Sequence, residues 1–395
     1  MRPLAIDKDA QDGYVIIGNS AAGIAAAEAI REHDREAPLT IVADEPHAAY
    51  GRPLTSYLLG GKVTRDQLWL RPYDFYDRIG AETRFGERVA AIDAAGSRVV
   101  MDGGGSIPFH RLLVATGGSP RRLPVPGADL EGVFCLRTLA DSDAILTHLE
   151  NTRRVVLCGG GLVTAKAMDA LRHVGSVEAM HMIEIMPSVL SQLLDGEAAA
   201  IMQEHFRENG VDVRVETSIE EVLGEDGRVR GVRTSAGDEI PCEMVIVGMG
   251  VIPNTALLEG SGIETDFGII TDGRMQTNRP GIYSAGDVAQ VPDLVNGGTR
   301  ICAIWPAACE QGRVAGLNMA GAPAIYSGGV GMNSAEFYGL QMIGAGNTRG
   351  GEGLTVLERR PADKIFRRLV LKDGVLTGFI LIGDVAYAGV LTTMI

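Results

Sequence analysis

The apolar residues of the chain form short continuous runs that end at glycine. The first run, Tyr14–Ile17, is apolar throughout, as in the buried strands of parallel sheets. A turn at 18–23 and an alanine-rich segment to about Glu32 follow, and residues 39–43 form the next apolar run. This order predicts a strand, a helix and a second strand, the βαβ unit of α/β proteins.

The same pattern returns near residue 155. It predicts a strand, a glycine-rich turn, a helix and a second strand at 154–158, 159–163, 164–171 and 177–183. Two further apolar runs, at 112–118 and 244–250, each end in glycine shortly before a proline. The sequence therefore predicts two copies of the same dinucleotide-binding fold.

Two glycine- and proline-rich segments, 120–127 and 250–254, are predicted to be paired crossings between the copies. The second copy would then be inserted in the first. After Gly321 the pattern alternates, and residues 366–371 and 375–382 predict a hairpin in a small third domain. The predicted fold is α/β, with two Rossmann-like domains and an α+β C-terminal domain, divided as 1–124 with 250–321, 125–249, and 322–395.

Length and charge narrow the classes of function. A chain of 395 residues is too long for one ordinary core. The 52 glycines and 46% hydrophobic content suit a glycine-punctuated α/β protein. A net charge of −14 argues against binding to nucleic acid, which needs clustered basic residues.

Cysteine usage and hydropathy favour a cytosolic, reduced protein. The five cysteines form no C-x-x-C pair, which disfavours a bound cluster or a redox-active dithiol. The N-terminal arm, residues 1–13, carries three aspartates and has no apolar core, so we do not expect a secretory signal. No apolar run approaches the roughly 20 residues that span a bilayer, and no histidine or cysteine motif indicates a metal site.

The first glycine-rich turn has the composition of a pyrophosphate-binding loop. A pyrophosphate needs backbone N–H groups at the positive end of a helix, with small side chains around them. The small residues are Gly18, Ser20, Ala21 and Gly23, with Ser20 in place of the usual middle glycine. Asp44 and Glu45 end the next strand, where a ribose hydroxyl needs a carboxylate. We predict a dinucleotide site here, with a plain tight turn as the alternative.

The second turn departs further from the usual pattern. Its candidate binding residues are Gly159, Gly161, Leu162 and Val163. Thr164 stands where a third glycine normally lets helix and strand pack closely. Glu184 follows 20 residues later, and a carboxylate there accepts hydrogen bonds from a ribose 2′-hydroxyl and repels a 2′-phosphate. The pattern favours NADH over NADPH, and a relict fold without nucleotide is the alternative.

With these motifs the chain resembles the FAD/NAD(P) reductases with two dinucleotide-binding domains, of the ferredoxin reductase, rubredoxin reductase and nitrite reductase NADH-module type. The likeness covers nearly the whole chain. Residues 50–56 look like the family's Y-x-R-x-x-x-S stretch along the flavin. The resemblance implies FAD contacts at Arg52, Ser56, Val89, Thr116 and Gly117, and an NAD contact at Gly250.

The most specific resemblance lies at residues 281–287, which look like the family's terminal FAD signature. A carboxylate at Asp287 can accept a hydrogen bond from a ribityl hydroxyl, and Gly286 lets the backbone approach the pyrophosphate. Trp305 and Ala308 are similar to the helix that opens beneath the isoalloxazine. Simple core packing is the alternative for Trp305.

Two departures from the family bear on the chemistry. Residues 50–61 contain no cysteine, so thiol–disulfide exchange is not expected. Many relatives have Lys after the equivalent of Ser56, paired with Glu on the NAD helix, whereas this chain has Tyr57 and Lys166. Lys166 is therefore the one candidate for a catalytic or cofactor-positioning side chain, and an ordinary helix-surface lysine is the alternative.

The resemblance implies hydride exchange between NAD(H) and FAD. Since the chain lacks cluster cysteines, a one-electron carrier would be an iron–sulfur protein or subunit of a hetero-oligomer. The pattern at 161–166 looks similar to flavin subunits of multisubunit 2-oxoacid oxidoreductases of the phenylglyoxylate dehydrogenase type. A stand-alone rubredoxin or ferredoxin reductase or NADH oxidase is the first alternative. A non-catalytic flavin-binding subunit is the second.

Overall fold

The computed structural model describes residues 13–395. Residues 1–12, which make up nearly all of the predicted N-terminal arm, lie outside the described residues. The described chain divides into two compact units. Unit 1 contains residues to 51, 69–119 and 253–331, and unit 2 contains 52–68, 120–252 and 332–395. The three-domain boundaries given above stay a prediction.

Residues 13–395 contain eight α-helices. They are α1 (Ala21–His33), α2 (Thr55–Leu59), α3 (Phe75–Arg78), α4 (Leu139–His148), α5 (Leu162–Leu171), α6 (Gly196–Glu208), α7 (Trp305–Met319) and α8 (Ala388–Met394). Short 3₁₀ turns occupy Arg52–Leu54, Arg65–Leu68, Leu149–Asn151 and Ala256–Leu258.

The strands up to the middle of the chain are β1 (Tyr14–Ile17), β2 (Leu39–Ala43), β3 (Ala81–Phe85), β4 (Val89–Asp93), β5 (Arg98–Met101), β6 (Ser106–Pro108), β7 (Arg111–Val114), β8 (Gly118–Pro120), β9 (Val133–Cys135), β10 (Arg154–Cys158), β11 (Ala179–Ile183), β12 (Val211–Arg214) and β13 (Ile219–Glu225). The remaining strands are β14 (Arg228–Thr234), β15 (Glu239–Pro241), β16 (Met244–Val247), β17 (Val251–Pro253), β18 (Ile269–Ile270), β19 (Ile282–Ser284), β20 (Ala289–Pro292), β21 (Thr299–Ile301), β22 (Met332–Phe337), β23 (Leu340–Gly346), β24 (Leu354–Ala362), β25 (Ile365–Lys372) and β26 (Val375–Ile382).

Each unit contains a five-stranded parallel sheet. In unit 1 the order is β19-β7-β1-β2-β3, and in unit 2 it is β9-β16-β10-β11-β12. The central strands are buried along almost their whole length, which explains their continuous apolar sequences. Four strands have the same order in both sheets, β7-β1-β2-β3 and β16-β10-β11-β12, so the predicted duplication is confirmed. The fifth strand differs, because β19 follows the other strands of its sheet along the chain whereas β9 precedes them.

The predicted element bounds need small corrections. Helix α5 begins at Leu162 rather than Thr164, because Gly161 is the N-cap. Strand β11 begins at Ala179 rather than Val177, whose N–H donates to Val174 in a turn. The paired crossing contains strands β8 and β17, and β8 begins at Gly118, two residues before the predicted segment 120–127.

The C-terminal part of unit 2 is an antiparallel sheet in the order β22-β23-β26-β25-β24. The predicted hairpin is formed by β25 and β26. Its two-residue turn, Asp373-Gly374, has positive φ at both positions, 51° and 80°, as a type I′ turn requires. One face of this sheet packs on the core that surrounds β10 and α5.

In unit 1, α1 and α7 touch at backbone distance. A Cβ on Gly312 would lie 2.1 Å from the carbonyl oxygen of Ala22, and one on Gly316 would lie 2.4 Å from that of Ala26. The alanines of α1 face these glycines, so the two helices approach as closely as helices can. This contact places the first turn of α1 beside the middle of α7.

None of the helices within 13–395 combines the length and the apolar character that crossing a membrane requires.

Candidate functional site

The first glycine-rich turn adopts a backbone that only glycine accepts. Gly18 has φ of 119°, and a Cβ there would lie 2.1 Å from the carbonyl oxygen of Ala115. A Cβ on Gly23 would lie 2.0 Å from the carbonyl oxygen of Gly18. The turn therefore packs against the carboxyl ends of β1 and β7, and glycine at 18 and 23 is a steric requirement.

Helix α1 begins directly after the turn with its first N–H groups uncapped by a side chain. Ser20 is the N-cap in an extended conformation and makes no side-chain cap hydrogen bond. Asn19 holds the turn in place, since its amide donates to the His47 carbonyl at 3.1 Å and accepts from the Tyr76 hydroxyl at 2.8 Å. The helix N-terminus thus has no side-chain cap, as an anion-binding helix would need, and its role as an anion site stays a prediction.

The acidic residues after β2 differ in their surroundings. Asp44 is exposed at the strand end. Glu45 accepts a hydrogen bond from the Tyr50 hydroxyl at 2.6 Å. Val89 opens β4 beside the same strand end, because the Glu87 N–H donates to the Ala43 carbonyl at 3.1 Å. Asp44 and Val89 therefore lie at one edge of the sheet, and their contacts to the adenosine end of a nucleotide stay predictions.

The remaining unit 1 candidates meet at the N-terminus of α1. Gly286, at φ 83°, is close enough for a Cβ to lie 3.3 Å from the Ala22 side chain and 3.8 Å from that of Ala308. Its N–H donates to the Gln311 amide oxygen at 2.8 Å. Asp287 follows, and Trp305 begins α7 in a half-buried position.

Thr116 and Gly117 follow β7. The Thr116 hydroxyl donates to the Asn254 carbonyl at 2.9 Å, and the Asn254 amide returns a hydrogen bond of 2.9 Å to the Thr116 carbonyl. Arg52 and Ser56 belong to unit 2, where Ser56 is buried in α2. The roles of all these residues as cofactor ligands stay predictions.

The second turn repeats the first in unit 2. Gly159 has φ of 102°, and its Cβ would lie 2.6 Å from the carbonyl oxygen of Gly248. Gly161 caps α5, and Leu162 and Val163 form the first turn of that helix, with Val163 exposed. Gly250, at φ 86°, follows β16 at the same edge of the sheet.

Glu184 points back at the glycine-rich turn. One carboxylate oxygen accepts from the Gly160 N–H at 2.5 Å, and the other accepts from the Met186 N–H at 2.7 Å. The side chain is buried. The carboxylate thus orders the turn and keeps lone pairs for a ribose diol.

Thr164 is accommodated by a glycine elsewhere. A Cβ on Gly248 would lie 2.6 Å from the Thr164 methyl carbon, so the methyl occupies the space that a side chain at 248 would need. The Thr164 hydroxyl donates to the carbonyls of Gly159 at 2.6 Å and Gly161 at 3.0 Å. Helix α5 therefore keeps its close approach to the sheet without a third glycine.

Lys166 lies within unit 2 against Tyr57, as the exchanged family pair predicts. Its ammonium donates to the Glu336 carbonyl at 3.1 Å, lies 3.5 Å from the Tyr57 hydroxyl, and is 5.2 Å from the ring centroids of both Tyr57 and Phe337. These contacts hold the lysine more firmly than those of an ordinary surface lysine. Its role toward a cofactor stays a prediction.

An ion pair that was not predicted from the sequence, between Lys62 and Asp169, lies one turn further along α5. Buried Asp169 accepts hydrogen bonds from Lys62 at 3.0 Å and from the Tyr338 N–H at 2.9 Å, and it forms a salt bridge with Arg172 at 3.2 Å. Burial alone would raise the pKa of Asp169, but these hydrogen bonds and cations lower it overall. The pair ties residues 52–68 to α5 and to the turn between β22 and β23.

The cysteines have the character of core residues. All five are free thiols, and burial raises the pKa of Cys158 and Cys242 to about 12. A thiol with such a pKa is a poor nucleophile. Among residues 13–395, no group of three or more His, Cys, Asp or Glu side chains is arranged to hold a metal ion.

A groove runs along the outer face of unit 1 between α1, α7 and residues 70–79, and encloses about 1220 Å³. We call it the α1–α7 groove. Trp305 and Ala21 line one end of it. Its charged lining among the described residues comprises Arg31, Arg35, Arg71, Arg78 and Arg313, with Glu28, Glu32 and Glu310.

Comparisons with known proteins agree with this geometry. The model of the family described as pyridine nucleotide-disulphide oxidoreductase matches residues 12–312. The epsilon subunit of NADH-dependent phenylglyoxylate dehydrogenase from Aromatoleum evansii is 31% identical over 395 aligned positions, which cover 97% of this chain and 91% of that subunit. Nitrite reductase [NAD(P)H] from Bacillus subtilis is 30% identical over 96% of this chain but only 47% of the enzyme.

Among solved structures, the ferredoxin reductase for the CYP199A2 system of Rhodopseudomonas palustris superimposes with a TM-score of 0.88. It is 27% identical, and the match covers 96% of this chain and 93% of that one. The predicted fold class is therefore confirmed.

Proposed function

The chain belongs to the pyridine nucleotide-disulphide oxidoreductase family, and from this premise we propose that it exchanges a hydride between NAD(H) and FAD and passes electrons to or from an iron–sulfur partner, as the flavin subunit of a larger complex. It is an oxidoreductase of a family that uses FAD and NAD(P)H. Subunit status, preference for NADH and identity of the partner belong to the proposal.

One observation carries the proposal: the chain contains two turns of the same build, each at a helix N-terminus and each followed by a carboxylate. In Gly18, Gly23 and Gly159 the Cβ position is blocked by a backbone oxygen, so both turns need glycine, and the absence of side chains there leaves the backbone open to a pyrophosphate. FAD, when bound, supplies the chemistry, because it takes a hydride in one step and exchanges electrons singly.

The chain's own residues would bind and orient the two nucleotides. The N-terminus of α1 with Ser20, Gly286 and Asp287 would hold FAD, and the N-terminus of α5 with Glu184 would hold NADH. Glu184 favours NADH because a 2′-phosphate would add negative charge beside a buried carboxylate. Hydride exchange depends on distance and stacking, so no side chain needs to act as an acid or base.

Two features support an external one-electron partner. Residues 50–61 contain no cysteine, and the described thiols of high pKa are unsuited to disulfide exchange. The α1–α7 groove ends at Trp305, which we predict to lie beside the flavin, and its lining has more arginines than glutamates. We propose this groove as the docking surface for an iron–sulfur protein.

The subunit proposal is favoured by the match to the phenylglyoxylate dehydrogenase epsilon subunit, which extends over nearly the full length of both chains. A stand-alone ferredoxin reductase is the second candidate, supported by the likeness to the Rhodopseudomonas palustris enzyme. Electron flow in either direction fits both. A cytosolic location stays a prediction from cysteine usage.

An anaerobic titration tests the catalytic part of the proposal. Stoichiometric NADH should bleach the flavin absorbance near 450 nm. The control variant Glu178→Ala is altered just before β11, at the end of the strand away from Glu184, and its flavin should bleach to the same extent. An unchanged flavin spectrum would contradict both catalytic candidates and leave only the alternative of a non-catalytic flavin-binding subunit. Purification from the native source then separates the two catalytic candidates, because only a complex subunit should elute with iron–sulfur chains.

A further inference from the structure

Two of the five arginines that line the α1–α7 groove are paired with glutamates of α1. The Arg71 guanidinium is bound in bidentate fashion by Glu28, with Nε–Oε1 and Nη2–Oε2 distances of 2.6 and 2.8 Å. Arg313 donates to Glu32 at 2.7 Å. Glu28 and Glu32 are one helical turn apart, so a single stripe of α1 reaches both walls of the groove.

These pairs leave the groove with both charge signs at its surface. The side chains keep between 35% and 51% of their exposure, so an incoming protein would meet each arginine together with its glutamate. A partner carboxylate must either displace the glutamate or approach it closely, and like charges at short distance oppose binding. The half-buried apolar residues of the lining, Leu70, Ile79 and Trp305, carry no such cost.

We propose that Glu28 and Glu32 are specificity-determining residues that turn the groove away from strongly acidic free ferredoxins and toward a partner with an apolar face of mixed charge. This inference rests on the proposed docking function of the groove. It explains how a groove lined by five arginines can belong to a dedicated subunit rather than to a general ferredoxin reductase.

The test compares full-length FAD-loaded protein with the Glu28→Gln/Glu32→Gln variant. Glutamine preserves the volume and can still accept from the arginines, so the groove keeps its shape while losing two charges. The matched control is Glu82→Gln/Glu87→Gln, which removes two glutamates paired with Arg84 outside the groove. The assay measures kcat/KM for a strongly acidic [2Fe–2S] ferredoxin at low salt, with uncharged menadione as reference acceptor.

We expect the groove variant to raise kcat/KM for ferredoxin about five- to tenfold over wild type, from electrostatic steering alone. The gain should disappear near 0.5 M salt, where the Debye length is about 4 Å. Activity with menadione, and both activities of the control variant, should stay within about twofold. An equal gain in the control variant would overturn the inference, since total charge would then explain it.

A third variant, Arg71→Gln/Arg313→Gln, separates failure of this inference from failure of the docking function. If the arginine variant loses ferredoxin activity while the glutamate variant gains none, the groove docks the partner but Glu28 and Glu32 do not select it. If neither variant changes the rate, or if wild type and glutamate variant are both inactive toward ferredoxin, the inference is wrong. Absence of flavin reduction by NADH would overturn the catalytic proposal itself.

Discussion

Replacing Glu184 with alanine should weaken NADH binding while leaving FAD bound. The carboxylate makes two hydrogen bonds to backbone N–H groups, one of them in the glycine-rich turn, and we expect it to accept from the adenosine ribose as well. The alanine variant loses both functions. FAD should be unaffected because its predicted ligands around Gly18 and Gly286 belong to unit 1, whereas Glu184 belongs to unit 2.

The expected magnitude follows from these contacts. A hydrogen bond to a charged group contributes about 1.5–3 kcal/mol. Because water can partly replace the carboxylate at Gly160, we take a net loss of about 2–3 kcal/mol in binding free energy. This corresponds to a roughly 30- to 150-fold increase in the Kd for NADH.

Anaerobic stopped-flow reduction of the flavin gives the measurement, since the dependence of the bleaching rate on NADH concentration yields Kd and the limiting rate separately. The limiting rate should change less than Kd. A Glu184→Gln variant should also lower the ratio of the Kd for NADPH to the Kd for NADH, because it removes the negative charge that opposes a 2′-phosphate. The matched control is Glu178→Ala, altered just before the other end of β11, and its Kd for NADH should equal that of wild type.

Two results would refute the reasoning. An unchanged Kd in the alanine variant would mean that the carboxylate only orders the turn, and that the nucleotide binds elsewhere. Loss of FAD from a correctly folded variant, judged by circular dichroism, would contradict the assignment of the two turns to different cofactors.

Three further predictions concern stability and FAD. Gly248→Ala should destabilise the protein by about 2 kcal/mol through a clash with the Thr164 methyl, and adding Thr164→Gly should restore at least about 1 kcal/mol; additive losses in thermal unfolding would show that the two sites do not interact. Asp169→Asn should cost about 2 kcal/mol at pH 7. Because the folded pKa of Asp169 is lowered, its contribution is present above the unfolded pKa of about 4 and is lost as pH falls from there through the folded pKa. The difference in Tm between wild type and variant should therefore stay nearly constant from pH 7 to about pH 5 and shrink below about pH 4, and a difference that already vanished near pH 5 would contradict the pKa direction. Asp287→Ala should release FAD on gel filtration while unit 2 still binds NADH by calorimetry, and full retention of FAD would remove Asp287 from the binding site.

The parallel sheets could be predicted from sequence because burial on both faces makes each central strand apolar throughout. Tyr14–Ile17, Leu39–Ala43 and Arg154–Cys158 match the predicted strands residue for residue. The C-terminal sheet was predicted only as a hairpin. Its edge strand, Leu354–Ala362, is exposed along almost its whole length, so it lacks the alternation that marks a half-buried strand.

The side-chain pairs of the site were harder to foresee because their partners are far apart in sequence. Tyr57 and Lys166 are 109 residues apart, and only the family pattern joined them. Glu28 and Glu32 have the spacing of a solvated helix face, which gives no sign of arginines 43 and 281 residues away. Thr164 stood out as an anomaly, but its compensation lies at Gly248, after a different strand.

The glycine contact between α1 and α7 limits what evolution or engineering can change in unit 1. In most protein cores, neighbouring side chains rotate to make room for a new methyl group. Gly312 and Gly316 are in contact with main-chain atoms instead, and these cannot move away by a change of rotamer. A saturation library at these two positions should therefore return almost exclusively glycine, whereas the charged groove on the outer side of the same helices can diversify freely. New partner preferences can arise in this way on a fixed framework.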